Sequence, residues 1–230
     1  MGDRYMEQCF SLYFNNTEIL LPKKDITFIG DLGLVKVYFN SMVANFFYND
    51  YLVGVIDKNF NEVVPLFSVG RLGRIEIFDN GVLLCINKGI TKDLYRTYQI
   101  EKVNDKVVWN PLPFLYFASV SSNVFKIQMD IDGNIVEALY DASKKELISK
   151  FFHSIDSFVY NENLKEIVAA ASYYLPYNEE QFNQIKTYIN VKGEVVAPYL
   201  DCNQNKIYDA NMDFREIIMA VAQDMKGKSR

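Results

Sequence analysis

Phe125-Lys126-Ile127-Gln128-Met129-Asp130-Ile131 runs into Asp132-Gly133 and returns as Ile135-Val136-Glu137-Ala138-Leu139-Tyr140. Phe125, Ile127, Met129 and Ile131 alternate without a break with Lys126, Gln128 and Asp130. A period of two places the apolar set on one face of a strand and the polar set on the other, so the stretch predicts a half-buried strand. Asp and Gly tolerate the backbone of a tight turn, so Asp132-Gly133 reads as the bend of a hairpin.

The same writing continues upstream. Val35-Lys36-Val37-Tyr38-Phe39 and Tyr51-Leu52-Val53-Gly54-Val55-Ile56 are rich in β-branched and aromatic residues, which favour strands. Ile75-Glu76-Ile77-Phe78-Asp79 and Val82-Leu83-Leu84-Cys85-Ile86 flank Asn80-Gly81, a dipeptide suited to the positive φ angles of a type I′ turn. Asn104-Asp105 plays a similar part between the segments 95–103 and 106–109.

Downstream the period changes from two to 3.6. Ser143-Lys144-Lys145-Glu146 has the form of a capping box, in which a hydroxyl and a carboxylate satisfy orphan amides reciprocally. Leu147, Ile148, Phe151, Phe152 and Ile155 follow at helical spacing, and predict a helix over 143–155. Leu164, Ile167, Val168, Ala171 and Leu175 predict a second over 162–175, stopped by Pro176. Residues 179–186, behind Asn178, suggest a short third helix, and a hairpin near 187–199 turns at Lys192-Gly193. Phe214, Ile217, Ile218, Val221, Ala222 and Met225 form an amphipathic stripe that predicts a helix over 213–226. The expected fold class is α+β, with antiparallel hairpins through residue 140. The 230 residues read as a single domain, with a subdivision into a β-rich 1–140 and a mixed 141–230 at the composition shift near Asp141.

Composition narrows the function classes. Half the chain is hydrophobic, enough apolar area to offset the entropy of ordering it. A net charge of −5 argues against a nucleic-acid backbone binder, since the one basic cluster is the tail Lys226-Gly227-Lys228-Ser229-Arg230. No run approaches a membrane-spanning length, and no basic-then-apolar leader precedes the first strand, so no membrane association is expected. Cys9, Cys85 and Cys202 are odd in number and far apart, as expected of buried thiols in a reducing, cytoplasmic setting.

No catalytic, metal or cofactor site is expected. The single histidine, His153, falls beside the apolar stripe of a predicted helix, with no nucleophile motif to serve. Asp201, Asn203, Asn205 and Asp209 alternate like oxygen ligands of a calcium loop, but Lys206 stands where glycine is needed and Met212 where the bidentate Glu belongs. An Asn/Asp-rich turn capping the last helix is the better reading. Gly70-Arg71-Leu72-Gly73-Arg74 lacks the Lys-Ser/Thr of a phosphate loop and reads as a strand connection, with Arg71 and Arg74 as contacts for an anion or an acidic partner the alternative. The 16 Tyr and 17 Phe exceed what an ordinary core needs, and Tyr is favoured at interfaces. For Tyr173, Tyr174 and Tyr177, clustered around Pro176, core packing is the default reading; the alternative makes them candidate partner-binding residues alongside Arg71 and Arg74.

Three segments share one pattern of strand, polar turn and strand: 54–65, 129–136 and 189–198. In the first, Gly54-Val55-Ile56-Asp57-Lys58-Asn59 is followed by Glu62-Val63-Val64-Pro65. This segment, over residues 53–65, resembles a WG repeat, a β-hairpin unit with an aromatic-Gly dipeptide, an Asp-Lys-polar-Gly turn and an acidic-Val/Ile-Pro return. Val53 replaces the aromatic and Phe60 the turn glycine, and the other two segments lack the dipeptide. Limited turn chemistry alone would also produce three such hairpins. The resemblance implies β-hairpin units of the kind found in bacterial proteins that mediate interactions, and implies no catalytic residue. With no catalytic motif, one histidine and no basic patch, the expected function is non-enzymatic binding of a protein partner, for instance as an immunity, inhibitor or anti-defence protein of a bacterium or phage. An enzyme with a carboxylate or cysteine site, and a structural subunit of a larger assembly, stand as alternatives.

Overall fold

The computed structural model describes residues 9–38, 51–68, 74–79, 81–87, 95–104, 106–176, 182–203 and 205–228. It divides into two compact units, residues 1–123 with 142–144, and residues 124–141 with 145–230.

The first unit is built from antiparallel sheets. β1 (Cys9–Phe14) pairs β2 (Thr17–Pro22). β3 (Phe28–Ile29), β4 (Leu32–Tyr38), β5 (Tyr51–Asp57) and β6 (Glu62–Ser68) form a second sheet in that order. β7 (Arg74–Phe78), β8 (Gly81–Asn87), β9 (Tyr95–Val103) and β10 (Lys106–Leu112) form a third, with β10 at one end; β11 (Tyr116–Ser119) follows. Leu32, Val55, Val63 and Val64 pack on Ile77, Val82, Leu84 and Ile100, so the second and third sheets face each other across one core. Phe10 and Leu12 close a further core on Val35, Leu52, Ile56 and Leu66.

Glycine is required in two of these strands. A Cβ on Gly54 would stand 3.0 Å from the Val64 carbonyl oxygen, where the β5–β6 register shifts at a bulge. The predicted hairpin at 80–81 is present, but its register pairs Phe78 with Gly81. Gly81 therefore begins the return strand instead of ending the turn. There a Cβ would meet the Ile100 oxygen at 2.6 Å, so Gly81 is needed for close approach and not for a positive φ.

The second unit contains β12 (Val124–Ile131), β13 (Asn134–Asp141) and β14 (Glu146–Leu147) in one sheet. β15 (Ser154–Ile155) and β16 (Val159–Asn161) both pair β17 (Glu166–Pro176), which continues through β18 (Phe182–Asn190) and β19 (Tyr199–Asp201) to β20 (Lys206–Tyr208). The Asp132-Gly133 turn is as read: Ile131 pairs Asn134 and both turn residues have positive φ. α1 (Phe214–Lys228) is the helix expected over 213–226. Asp213 and Glu216 cap it reciprocally, each carboxylate accepting the other's backbone N–H at 2.8 and 2.7 Å. Ile217 and Val221 are its buried face.

The other helices are not formed, so among the described residues the fold is a set of antiparallel sheets with one α-helix. At 143–155 the apparent capping box is a hairpin loop: Asp141 pairs Glu146, and Lys145 takes a φ of 60°. Only Phe152 and Ile155 of the proposed stripe are fully buried, while Leu147 and Phe151 are exposed. Residues 162–175 are largely strand, because Ala169, Ala171, Tyr173 and Leu175 alternate into the core between β15/β16 and β18. A continuous apolar run is compatible with either state, and the flanking strands decide it. The predicted short helix at 179–186 is the start of β18 from Phe182 onward, and 179–181 lie outside the described residues. The return after Lys192-Gly193 is a single bridge, Ile189 to Val195, and not a paired strand.

One turn device recurs in both units. The Asp57 carboxylate accepts the N–H groups of Asn59 and Asn61 at 2.8 and 3.0 Å, while Phe60 N–H reaches the Asp57 carbonyl at 2.9 Å. The Asn190 side-chain oxygen accepts from Lys192 and Glu194, both at 3.0 Å, and Gly193 N–H reaches the Asn190 carbonyl at 2.9 Å. Phe60 (φ 64°) and Gly193 (φ 82°) occupy equivalent left-handed positions. The Phe60 ring packs 5.1 Å from Phe10 and 5.9 Å from Phe28, with Lys23 over its face, and this packing offsets the strain that glycine would avoid.

Candidate functional site

Strand alternation sorts the predicted contact residues. Tyr173 is buried in the core, stacked on Phe152 at 4.9 Å. A helix end would have left it accessible; on β17 it points inward, so it is a core residue and not a partner contact. Burial, and then the neighbouring Tyr199 and Asp213, raise the Tyr173 phenol well above its ordinary pKa. Burial pushes Tyr199 up to about 12. Tyr174 has the opposite parity and is exposed. Tyr177 and Arg71 lie outside the described residues. Arg74 is engaged internally: Nε and Nη2 meet Glu76 at 3.0 Å, and Nη1 donates to the Tyr116 hydroxyl at 2.7 Å. Burial opposes its charge, but Tyr116 and Glu76 outweigh it and raise its pKa.

The register of the six-stranded sheet shows what Tyr174 belongs to. Directly opposed residues share a face. Tyr174 opposes Gln184, Ala170 opposes Tyr188, Ser172 opposes Lys186, Lys186 opposes Leu200, and Leu200 opposes Ile207. At the other side Val168 opposes Val159. One face therefore carries Val159, Tyr174, Tyr188, Leu200 and Ile207, all exposed, with Ile207 at 68% and Val159 at 61%, while Val168, Ser172 and Asn190 of the same face are buried. The reverse face holds Ala169, Ala171, Tyr173, Ile185, Ile189 and Tyr199 in the core. Sequence reasoning missed Tyr188, Leu200 and Ile207; the alternation of Ile185, Thr187 and Ile189 with Lys186 and Tyr188 was the available signal.

His153 borders this face. It lies ahead of β15 and not on a helix, and its Nδ1 accepts the Tyr174 backbone N–H at 3.2 Å. Ser154 Oγ lies 3.3 Å from the Tyr174 hydroxyl. Burial lowers the His153 pKa below the ordinary 6.5. The folded state then binds fewer protons than the unfolded chain below about pH 6.5. Stability falls as pH drops through that value and levels off below the folded pKa. Urea titrations at about pH 7.5 and pH 5.5 are expected to show a larger acid loss for the wild type than for His153→Gln. Equal losses in both would remove His153 from the account.

Cys9 is buried, but Cys202 is exposed in the β19–β20 turn, contrary to the expectation of buried thiols; the Cys85 side chain lies outside the described set. The calcium-like stretch is that same turn, so it closes a hairpin instead of capping α1. Asp201 accepts the Asn203 N–H at 2.9 Å and the Asn183 side chain at 2.8 Å, and Asn205 takes a φ of 53°. Among the described residues no three His, Cys, Asp or Glu side chains are grouped to hold a metal. Two clefts in the first unit, about 370 and 480 Å³, have mainly aliphatic, proline and aromatic walls. Among the described residues no helix is long and apolar enough to cross a membrane. The chain matches no protein-family model, no curated protein and no solved structure.

Proposed function

We propose that this chain is a non-enzymatic protein-interaction module built on WG-like hairpin units. It binds its partner through the Tyr174, Tyr188, Leu200 and Ile207 face of the second unit. The observation that carries this reading is that exposed sheet face: large apolar side chains on adjacent strands, interleaved with Lys186 and Gln184, form the kind of patch that marks an interaction site. Tyr and aliphatic anchors with a polar surround are the usual anatomy of such interfaces. The matching Asp57 and Asn190 turns support the WG-like reading, because the left-handed residue falls where that repeat has its glycine. Free Cys9 and Cys202 suit a reducing cytoplasm. The net charge of −5 suits a basic target, as an immunity or inhibitor protein would meet.

The test is a pull-down from lysate of the source, quantified for stoichiometric capture. A single partner is expected with the wild type and is lost in Tyr188→Asp/Ile207→Asp. Met219→Asp, an exposed change on α1, retains it. Capture that survives the double change, or no partner at low and moderate salt, overturns the proposal.

A further inference from the structure

The third sheet of the first unit ends on β10, and among the described residues no strand pairs with its outer side. Val107, Val108 and Trp109 are each exposed by more than a third. Edges of this kind are normally guarded by charge, proline or a bulge. Here Lys106 and Pro111 guard only the two ends.

The hairpin geometry fixes which backbone groups face out. Val103 pairs Lys106 across a two-residue turn, with Asn104 at φ 49°. Residues flanking such a turn form a hydrogen-bonded pair, and bonded pairs recur at every second residue. Lys106, Val108, Asn110 and Leu112 therefore bond to β9. Val107, Trp109 and Pro111 turn their backbone groups outward. Pro111 has no N–H, as outward positions on edge strands permit. The free rung is thus two donors and two acceptors at Val107 and Trp109, followed by one acceptor at Pro111.

We propose that this edge pairs antiparallel with β10 of a second copy of the chain, with Val108 on the two-fold axis. In this register Val107 opposes Trp109 of the other copy, and both donors and both acceptors of each rung are used. Placing Trp109 on the axis would instead set Val107 against Pro111, whose ring offers no N–H to the Val107 carbonyl. The chosen register sets Lys106 opposite Asn110, so no like charges meet. Val107 and Trp109 continue the face that carries Tyr98 and Ile100, where the Tyr98 and Trp109 rings already meet at 5.7 Å. Val108 faces its own copy in a non-hydrogen-bonded pair, where side chains approach most closely. The contact is small, so the dissociation constant is on the order of micromolar or weaker. The site lies in the first unit and stands or falls independently of the Tyr188 face.

The experiment is sedimentation equilibrium across a concentration series, joined to cysteine cross-linking in a Cys202→Ser background. A monomer–dimer equilibrium is expected. Val108→Cys forms a disulfide-linked dimer under mild oxidation, and Lys106→Cys does not. Val107→Pro removes an outward N–H without touching the β9 ladder and weakens the dimer at least ~10-fold. Unchanged circular dichroism shows that this variant is folded. A monomer at every concentration overturns the proposal, including one that binds a synthetic strand instead. So does cross-linking through Lys106→Cys in place of Val108→Cys, or a folded Val107→Pro that dimerises as the wild type does.

Discussion

Gly193→Ala is expected to destabilise the second unit by more than about 3 kcal/mol, whereas Gly133→Ala is expected to cost about 1 kcal/mol. The two glycines have nearly the same backbone, at φ +82° and +83°. Strain from the left-handed conformation is therefore common to both and cancels in the comparison. Their surroundings differ. A Cβ on Gly133 would meet nothing within 4 Å, because the β12–β13 turn projects into open space. A Cβ on Gly193 would lie 2.0 Å from the Ile148 carbonyl oxygen and 2.9 Å from the Ser149 nitrogen. These are backbone atoms, and no rotamer change relieves the overlap. Either the 148–149 segment or the turn must move. The turn is held by Asn190, whose side chain also donates to Glu166 and Glu194 at 2.9 and 2.8 Å, so moving it breaks a network. Urea unfolding of the two variants at one temperature gives the comparison. Equal costs would mean that the 148–149 segment yields freely and that the close approach carries no weight.

That contrast bears on what the sequence could disclose. Lys192-Gly193 and Asp132-Gly133 are both readable as turns, because positive φ is a local demand that residue type answers. The reason Gly193 is irreplaceable is a contact with a segment more than forty residues away in the chain, and nothing local encodes it. The same division explains the helices. Asp213-Phe214-Arg215-Glu216 carries its own cap and an unambiguous stripe, and it is helical. Ala169-Ala170-Ala171 has high intrinsic helix propensity, yet it is strand because β18 pairs along its whole length. Ser143 through Glu146 mimics a capping box because Asp141, two residues earlier, closes the loop instead. The exposed face of the six-stranded sheet follows from the same logic. Tyr174 was legible as a candidate contact by type, but its separation from Tyr173 required knowing that residues 166–176 have a period of two and not 3.6.

Glu137→Ala is expected to cost about 3 kcal/mol and to loosen the segment that borders the proposed interaction face, while Glu137→Gln is expected to cost less than half as much. The Glu137 carboxylate is nearly buried. Oε2 accepts the Ile155 backbone N–H at 2.6 Å, and Oε1 accepts the Gln128 side-chain amide at 2.8 Å. Lys126 Nζ lies 3.5 Å from Oε2 and donates to the Ile155 carbonyl at 2.6 Å. The Glu137 backbone exchanges two hydrogen bonds with Phe152, at 2.7 and 2.8 Å. One residue thus clamps 152–155 to β13 from both its main chain and its side chain. Alanine keeps the main-chain pair but strands the Ile155 N–H and removes the anion beside Lys126, and an unmade buried bond costs more than a made one contributes. Glutamine still accepts from Ile155, and a flipped Gln128 amide can accept its N–H, so only the attraction to Lys126 is lost. Ile155 and Ser154 pair with Ala171 and Ser172 on β17, next to Tyr174. Freed from Glu137, they should exchange amide hydrogens faster at 153–155 and at Tyr174, with β18 and β19 unchanged. The readout is hydrogen exchange alongside urea unfolding. If Glu137→Ala destabilised without local exchange at 153–155, the carboxylate would be acting on global packing, and the edge of the face would be held by its backbone pairing alone.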